Sequence, residues 1–93
     1  MTSLIAVDRD TIHHDAARGG VAFRYSDGAR FRGAFVSDAA IAGLMRVRTV
    51  STQQAEGFIR NIALKLALHL ANRHAATDDS EAQLTLDDLR KIR

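Results

Sequence analysis

The 93-residue sequence contains no cysteine, no proline and no tryptophan. Without cysteine the chain can form neither a disulfide framework nor a thiolate metal site, so packing must supply its stability. The longest apolar stretch, 62–71, is interrupted by Lys65 and His69 and has about half of the ~20 residues that a membrane span needs. The start of the chain also lacks the regions of a secretion signal. We therefore expect a cytoplasmic protein that does not bind a membrane.

The composition is that of a globular protein rather than a disordered one. Hydrophobic residues make up 46% of the chain and charged residues 26%, which provides enough apolar surface to bury in a core. A chain of this length is expected to form one small domain. We therefore predict a single domain over residues 1–93.

Signature patterns of enzymes are absent from the sequence. There is no G-x-S-x-G nucleophile motif, no H-E-x-x-H zinc motif and no glycine-rich phosphate loop. Gly19 and Gly20 precede a predicted strand, whereas a nucleotide-binding loop follows one, so this pair indicates a turn. We expect no catalytic residue, no cofactor and no small-molecule substrate, and therefore no enzyme.

The histidines are the remaining candidates for metal binding or proton transfer. His69 and His74 are five residues apart, about 140° around a helix, so they do not share a face as ligands spaced i, i+4 do. His13 and His14 are adjacent and point to opposite sides of an extended segment, so we expect surface residues near the entrance to the hairpin. The sequence therefore predicts no metal site.

The clearest structural signal is a β-hairpin in the segment VAFRYSDGARFRGAFVS, which begins at Val21. Both halves of this segment alternate with a period of two, which predicts two strands. Asp27 and Gly28 lie between the halves and are typical turn residues, because glycine accepts a positive φ and aspartate bonds to its own local backbone.

The length of the hairpin loop decides which side chains face the core. A two-residue loop would pair Tyr25 with Arg30 and mix arginines with aromatic residues on one face. An odd loop, for example 27–29, or a bulge pairs Tyr25 with Phe31 and places Phe35 on the same all-apolar inner face. We predict the odd loop or bulge.

Two helices follow the hairpin. Ser37 is a good N-cap for a short amphipathic helix over residues 38–45. Ser51 and Gln54 form a predicted capping box that opens a long helix from Thr52 to about Ala75. Further on, 83–86 is a candidate strand and 87–92 is either a last helical turn or a frayed tail. Residues 4–7 are a possible N-terminal strand. The sequence thus predicts a two-layer α+β fold, with a small antiparallel sheet and one short and one long helix on one face.

The long helix has two apolar stripes. The wider stripe is predicted to be the main core face and consists of Ala55, Phe58, Ile59, Ile62, Ala63, Leu66 and Leu70. A narrower stripe lies nearly opposite and consists of Gly57, Leu64, Leu68 and Ala71; we call it the α2 outer stripe. Either a terminal segment of the chain covers this stripe or it is a dimer interface.

Positive charge is concentrated in the middle of the sequence. Residues 18–48 contain six arginines and two aspartates, a net charge of +4. With the odd loop, Arg24, Arg30 and Arg32 share the outer face of the hairpin. They are either a solvated surface or a site for phosphates or an acidic partner.

The order of these features resembles the DUF1488 family, a group of short proteobacterial proteins known as a domain of unknown function. The matching residues are Asp8-Arg9, Asp15, Val21-x-Phe23, Gly28, Val36-Ser37, Ala40-Ile41, Leu44, Asn61, Ala67 and Leu84-x-Leu86-Asp87-Asp88-Leu89. At the position after Asp8-Arg9 where the family has an aromatic residue, this sequence has Thr11-Ile12. The resemblance implies a small antiparallel sheet with helices packed on one face, and it implies no activity, ligand or catalytic residue.

The sequence thus favours a non-enzymatic accessory or regulatory protein that acts by binding another protein, with a second copy of itself through the α2 outer stripe as the leading candidate. The alternative is weak, sequence-indifferent nucleic-acid binding through the arginines of the hairpin.

Overall fold

The computed structural model describes residues 5–28, 30–73 and 81–92. The strands are β1 (Ala6–Asp15), β2 (Gly20–Ser26), β3 (Phe31–Ser37) and β4 (Ala82–Leu84), and the helices are α1 (Asp38–Met45), α2 (Thr52–Arg73) and α3 (Leu86–Ile92). The strands form one sheet in the order β1-β2-β3-β4. The pairs β1–β2 and β2–β3 are antiparallel, and β4 runs parallel to β3.

The predicted α+β class is confirmed, but the sheet is mixed rather than antiparallel. β4 is parallel because the chain crosses from β3 through α1 and α2 before it returns to the sheet. The predicted C-terminal strand lies at Ala82–Leu84 rather than 83–86, and the last turn is a third helix, α3.

The core lies between one face of the sheet and the helices. Val21, Phe23 and Tyr25 from β2 belong to the same buried cluster as Ile41 of α1 and Leu89 of α3. The main stripe of α2 covers this cluster as predicted: five of its residues are buried, and Phe58 and Ile62 are partly buried against the core. The opposite face of the sheet carries no helix among the described residues, and we call it the open face.

The hairpin register differs from the prediction. Ser26 pairs with Phe31 and Tyr25 pairs with Arg32, so the loop spans four residues, 27–30, and the predicted odd loop is wrong. Phe31 consequently lies on the open face and is 57% exposed, and Phe35 is also on that face but is 6% exposed. The inner face keeps Phe23 and Tyr25 but not the aromatic residues of β3.

The helix starts follow the predicted local signals. The Ser37 hydroxyl accepts a hydrogen bond from the Ala40 backbone N–H at 3.1 Å and caps α1. Ser51 and Gln54 form the reciprocal capping box of α2, with the two bonds at 2.9 and 3.1 Å. These bonds satisfy N–H groups that have no partner within the helix.

β1 is much longer than the predicted strand at 4–7, of which residue 4 lies outside the described residues. Asp8 pairs with Arg24 and His13 pairs with Ala22, so four residues of β1, 9–12, lie opposite Phe23 alone. We call residues 9–12 the β1 bulge. The bulge interrupts the period of two, which is why the alternation was not visible in the sequence.

Candidate binding surfaces

The open face of the sheet holds a groove of about 690 Å³. Its floor includes the small residues Ala22 and Gly33 of the two central strands. The β1 bulge and His13 line one side, and Arg18 and Glu81 line the other. The groove therefore has an apolar floor and charged walls.

A hydroxyl group organises the β1 bulge at the rim of the groove. Thr11 Oγ1 donates a hydrogen bond to the Asp8 carbonyl at 2.6 Å and accepts one from the Arg24 backbone N–H at 2.8 Å. On the helix side, the Arg60 guanidinium donates to the Ile12 carbonyl at 3.3 Å. The bulge thus replaces lost ladder bonds with side-chain bonds, and it leaves the edge of the sheet irregular, which opposes pairing with another strand.

On the side of the groove opposite the β1 bulge, an arginine is ion-paired with a glutamate and stacks on an aromatic ring. Arg18 bonds Glu81 with both terminal nitrogens, one of them at 3.1 Å, and its guanidinium carbon lies 4.1 Å from the centroid of the Phe35 ring. The hydrogen bond to Glu81 raises the pKa of Arg18 above its ordinary value. This pair covers Phe35, which explains why an aromatic ring on the open face is still buried.

The arginines of the hairpin do not share one face, contrary to the prediction. Arg24 pairs with Gly33 and points to the open face, whereas Arg32 pairs with Tyr25 on the inner side. The Arg32 side chain is 9% exposed and its Nε donates to Asp27 at 2.6 Å. Arg30 lies exposed in the loop. Arg32 therefore fixes the conformation of the loop, whereas Arg24 and Arg30 are exposed.

An exposed aromatic residue lies beside Arg24 on the open face. The guanidinium carbon of Arg24 is 5.5 Å from the centroid of the Phe31 ring. Sequence reasoning missed this pair because it directed Phe31 inward. The signal in the sequence was whether the loop has an odd or an even number of residues. The four-residue loop places Phe31 on the face opposite to the predicted one.

The α2 outer stripe faces away from the core. Leu64 is 46% exposed and Leu68 is 42% exposed, and Gly57 and Ala71 are half-buried at either end of the stripe. A methyl group at Gly57 would meet no atom within 4 Å. Within the described ranges, nothing fully covers the two leucines.

Two histidines connect elements of the fold rather than forming a metal site. His14 Nε2 lies 2.8 Å from Asp38 Oδ2, and its backbone N–H donates to Glu56 at 2.8 Å, so β1 is joined to both α1 and α2. His69 Nε2 lies 3.2 Å from Asp88 Oδ1. His14 is thus not the surface residue that the sequence indicated, whereas His13 is exposed.

Residues 5–28, 30–73 and 81–92 contain no grouped metal ligands and no membrane-spanning helix. In that part of the chain, no group of three or more histidine and acidic side chains is placed to hold a metal ion. His74 lies outside it. Across the same residues, no helix combines the length and the hydropathy of a membrane-spanning segment.

In the described part of the chain, the fold is that of a small α+β protein in which three helices cover one face of a four-stranded mixed sheet. Among solved structures, it is similar to the crystal structure of a protein of unknown function from the DUF1488 family of Shewanella loihica PV-4. The TM-score is 0.68, with 13% sequence identity over 90% of this chain and 94% of the other. No protein-family model matches the sequence, and no curated protein shows significant similarity.

The resemblance to the DUF1488 family is therefore confirmed at the level of the fold. At this sequence identity, the structural similarity shows a shared architecture but assigns no role to any residue. The neighbour is itself described as a protein of unknown function, so the shared fold indicates no activity for this chain.

Proposed function

We propose that this protein is a non-enzymatic, cytoplasmic accessory protein that acts by protein–protein binding and that it forms a homodimer through the α2 outer stripe. The observation that supports this proposal is the exposure of Leu64 and Leu68 on a helix whose opposite side packs against the core. Adjacent exposed leucines on a helix are typical of interfaces rather than of solvated surface.

The spacing of the stripe suits a second helix. Gly57, Leu64, Leu68 and Ala71, with the exposed Asn61, are separated by four, three, four and three residues, which is the spacing of a coiled-coil seam. The small residues at the two ends leave room for a partner backbone, as the open space above Gly57 shows. A two-fold axis near the leucines pairs each stripe with its own copy.

The expected dimer is weak. Complete burial of a leucine contributes about 1.5–3 kcal/mol, so burying the exposed fractions of Leu64 and Leu68 on both protomers contributes roughly 3–5 kcal/mol. Association costs on the order of 4–15 kcal/mol. The leucines alone therefore do not hold the dimer, and close backbone contact at Gly57 and Ala71 has to supply the remainder.

Light scattering after gel filtration tests the dimer at tens of micromolar protein. We expect the mass of a dimer for the natural chain and of a monomer for Leu68→Asp, because the partner stripe would bury the new carboxylate without a counter-charge. Val47→Asp is the matched control, since Val47 is similarly exposed, at 47%, but lies in the α1–α2 loop.

Cross-linking gives an independent readout, because the chain has no cysteine of its own. A Leu64→Cys variant is expected to form a disulfide-linked dimer under mild oxidation, whereas a Val47→Cys variant is not. A monomeric natural chain whose mass is unchanged by Leu68→Asp, together with no preference for cross-linking at position 64, contradicts the proposal.

A further inference from the structure

The tip of the β2–β3 hairpin presents an aromatic ring in an unusual place. Phe31 is the most exposed of the large hydrophobic residues that the structure describes, at 57%. It pairs with Ser26 across the strands, and Gly33 is the next residue of β3 on the same face, so the small neighbours leave the ring accessible from above. Such a ring offers a flat platform on which another planar group can stack.

Positive charge lies beside the ring. Arg24 is on the same face and its guanidinium lies 5.5 Å from the ring centroid, and none of the described residues forms an ion pair with it. Arg30 is exposed in the adjoining loop. Two acidic residues are also near: Asp8 is the cross-strand partner of Arg24, and the Asp27 carboxylate accepts hydrogen bonds from Arg32 Nε and from the Arg30 backbone N–H. Together with Arg24, Arg30 and Arg32 they leave the tip a net charge of +1.

The opposite end of the groove has the other sign. Asp15 and Glu81 line it, and Glu81 is ion-paired with Arg18. Asp15 therefore repels an anionic ligand from that end, whereas the arginines attract it to the tip.

We propose that the tip of the hairpin is a binding site for single-stranded nucleic acid, in which a base stacks on Phe31 and the flanking phosphates bind Arg24 and Arg30. An aromatic platform with adjacent arginines is the arrangement by which proteins bind single strands without reading sequence. An acidic protein segment would satisfy the arginines but would leave the ring without a stacking partner, so the exposed ring favours nucleic acid. This site is separate from the α2 outer stripe, and it does not depend on the homodimer.

Fluorescence anisotropy with a labelled oligo-dT strand at low salt tests the site. We expect a dissociation constant on the order of 10⁻⁴ M at physiological salt, as for non-specific binding. Two phosphate contacts predict that log K falls against log salt with a slope of about −1.4. Phe31→Ala is expected to weaken binding roughly tenfold, the effect of losing one stacked base, and Arg24→Gln to weaken it several-fold and to reduce the slope by about half.

Two variants away from the sheet serve as matched controls. Val47→Ala removes an exposed apolar side chain, and Arg48→Gln removes an exposed arginine, both in the α1–α2 loop. Each is expected to change binding less than twofold. Leu68→Asp is expected to bind as the natural chain does, which separates this site from dimer formation.

Three results would overturn the proposal. The first is no binding of oligo-dT at low salt. The second is equal affinity for Phe31→Ala and the natural chain, which would mean that charge alone attracts the strand. The third is displacement of the strand by polyglutamate at the same concentration of charge as by unlabelled oligo-dT, which would assign the surface to an acidic protein partner.

Discussion

Adding one methyl group at either of two glycines is expected to change stability in opposite directions. A Cβ at Gly20, the first residue of β2, would lie 2.4 Å from the Val36 carbonyl oxygen and 2.4 Å from Phe35 Cζ. Both distances are far below van der Waals contact, and the carbonyl belongs to a paired strand that cannot withdraw without breaking its ladder. We expect Gly20→Ala to lower the free energy of unfolding by about 2–3 kcal/mol, as for overpacked cores.

The same substitution at Gly57 meets empty space. This residue lies inside α2, and a Cβ there would have no neighbour within 4 Å. Alanine favours the helix over glycine by about 0.8–1 kcal/mol because it restricts the unfolded backbone. Gly57→Ala is therefore expected to stabilise the monomer by about that amount.

Thermal unfolding followed by circular dichroism, at protein concentrations low enough to keep the chain monomeric, measures both effects. In a domain of this size 1 kcal/mol shifts Tm by about 4–8 °C. We therefore expect Tm to fall by roughly 10–20 °C for Gly20→Ala and to rise by about 4–8 °C for Gly57→Ala. Adding Phe35→Leu to Gly20→Ala should recover only part of the loss, since the contact with the Val36 carbonyl remains. An unchanged Tm for Gly20→Ala would refute the close contact between the start of β2 and β3.

Three further predictions concern the caps and the hairpin register. Ser51→Ala is expected to cost about 1 kcal/mol in urea unfolding because it removes the cap of α2, whereas Thr52→Ala, at an exposed position next to it, should be nearly neutral. Asp88→Ala is expected to cost about 2 kcal/mol because the buried carboxylate accepts hydrogen bonds from the backbone N–H and the hydroxyl of Thr85, just before α3. A loss below a few tenths of a kcal/mol would contradict that role. Phe31→Ala should leave the free energy of unfolding within about 0.5 kcal/mol of the natural value, whereas Phe35→Ala should cost about 3 kcal/mol. Equal costs for the two phenylalanines would show that the hairpin register is wrong.

The sequence by itself determined the features that depend on residues close together in the chain, namely the helix caps and the apolar stripes of α2. Ser37 and the pair Ser51 and Gln54 cap their helices because a short polar side chain reaches backbone N–H groups only two or three residues away. The main stripe of α2 was readable for a similar reason, since helical spacing alone brings its residues to one side. The existence of the α2 outer stripe also followed from that spacing, but whether another segment covers it did not.

The tertiary structure alone decided which face of the sheet each side chain takes. A period of two shows which residues of a strand share a face, but not which face is buried. One additional residue in the loop moves each side chain of the second strand to the other face. Phe31 and Phe35 were therefore predicted to face the core, although both lie on the open face. Phe35 is buried there because Arg18, from the turn before β2, is held over its ring by Glu81, 63 residues along the chain. The β1 bulge likewise depends on bonds from Thr11 to another strand and from Arg60 on α2. Contacts between residues so far apart in sequence leave no local pattern, because they exist only after the chain has folded.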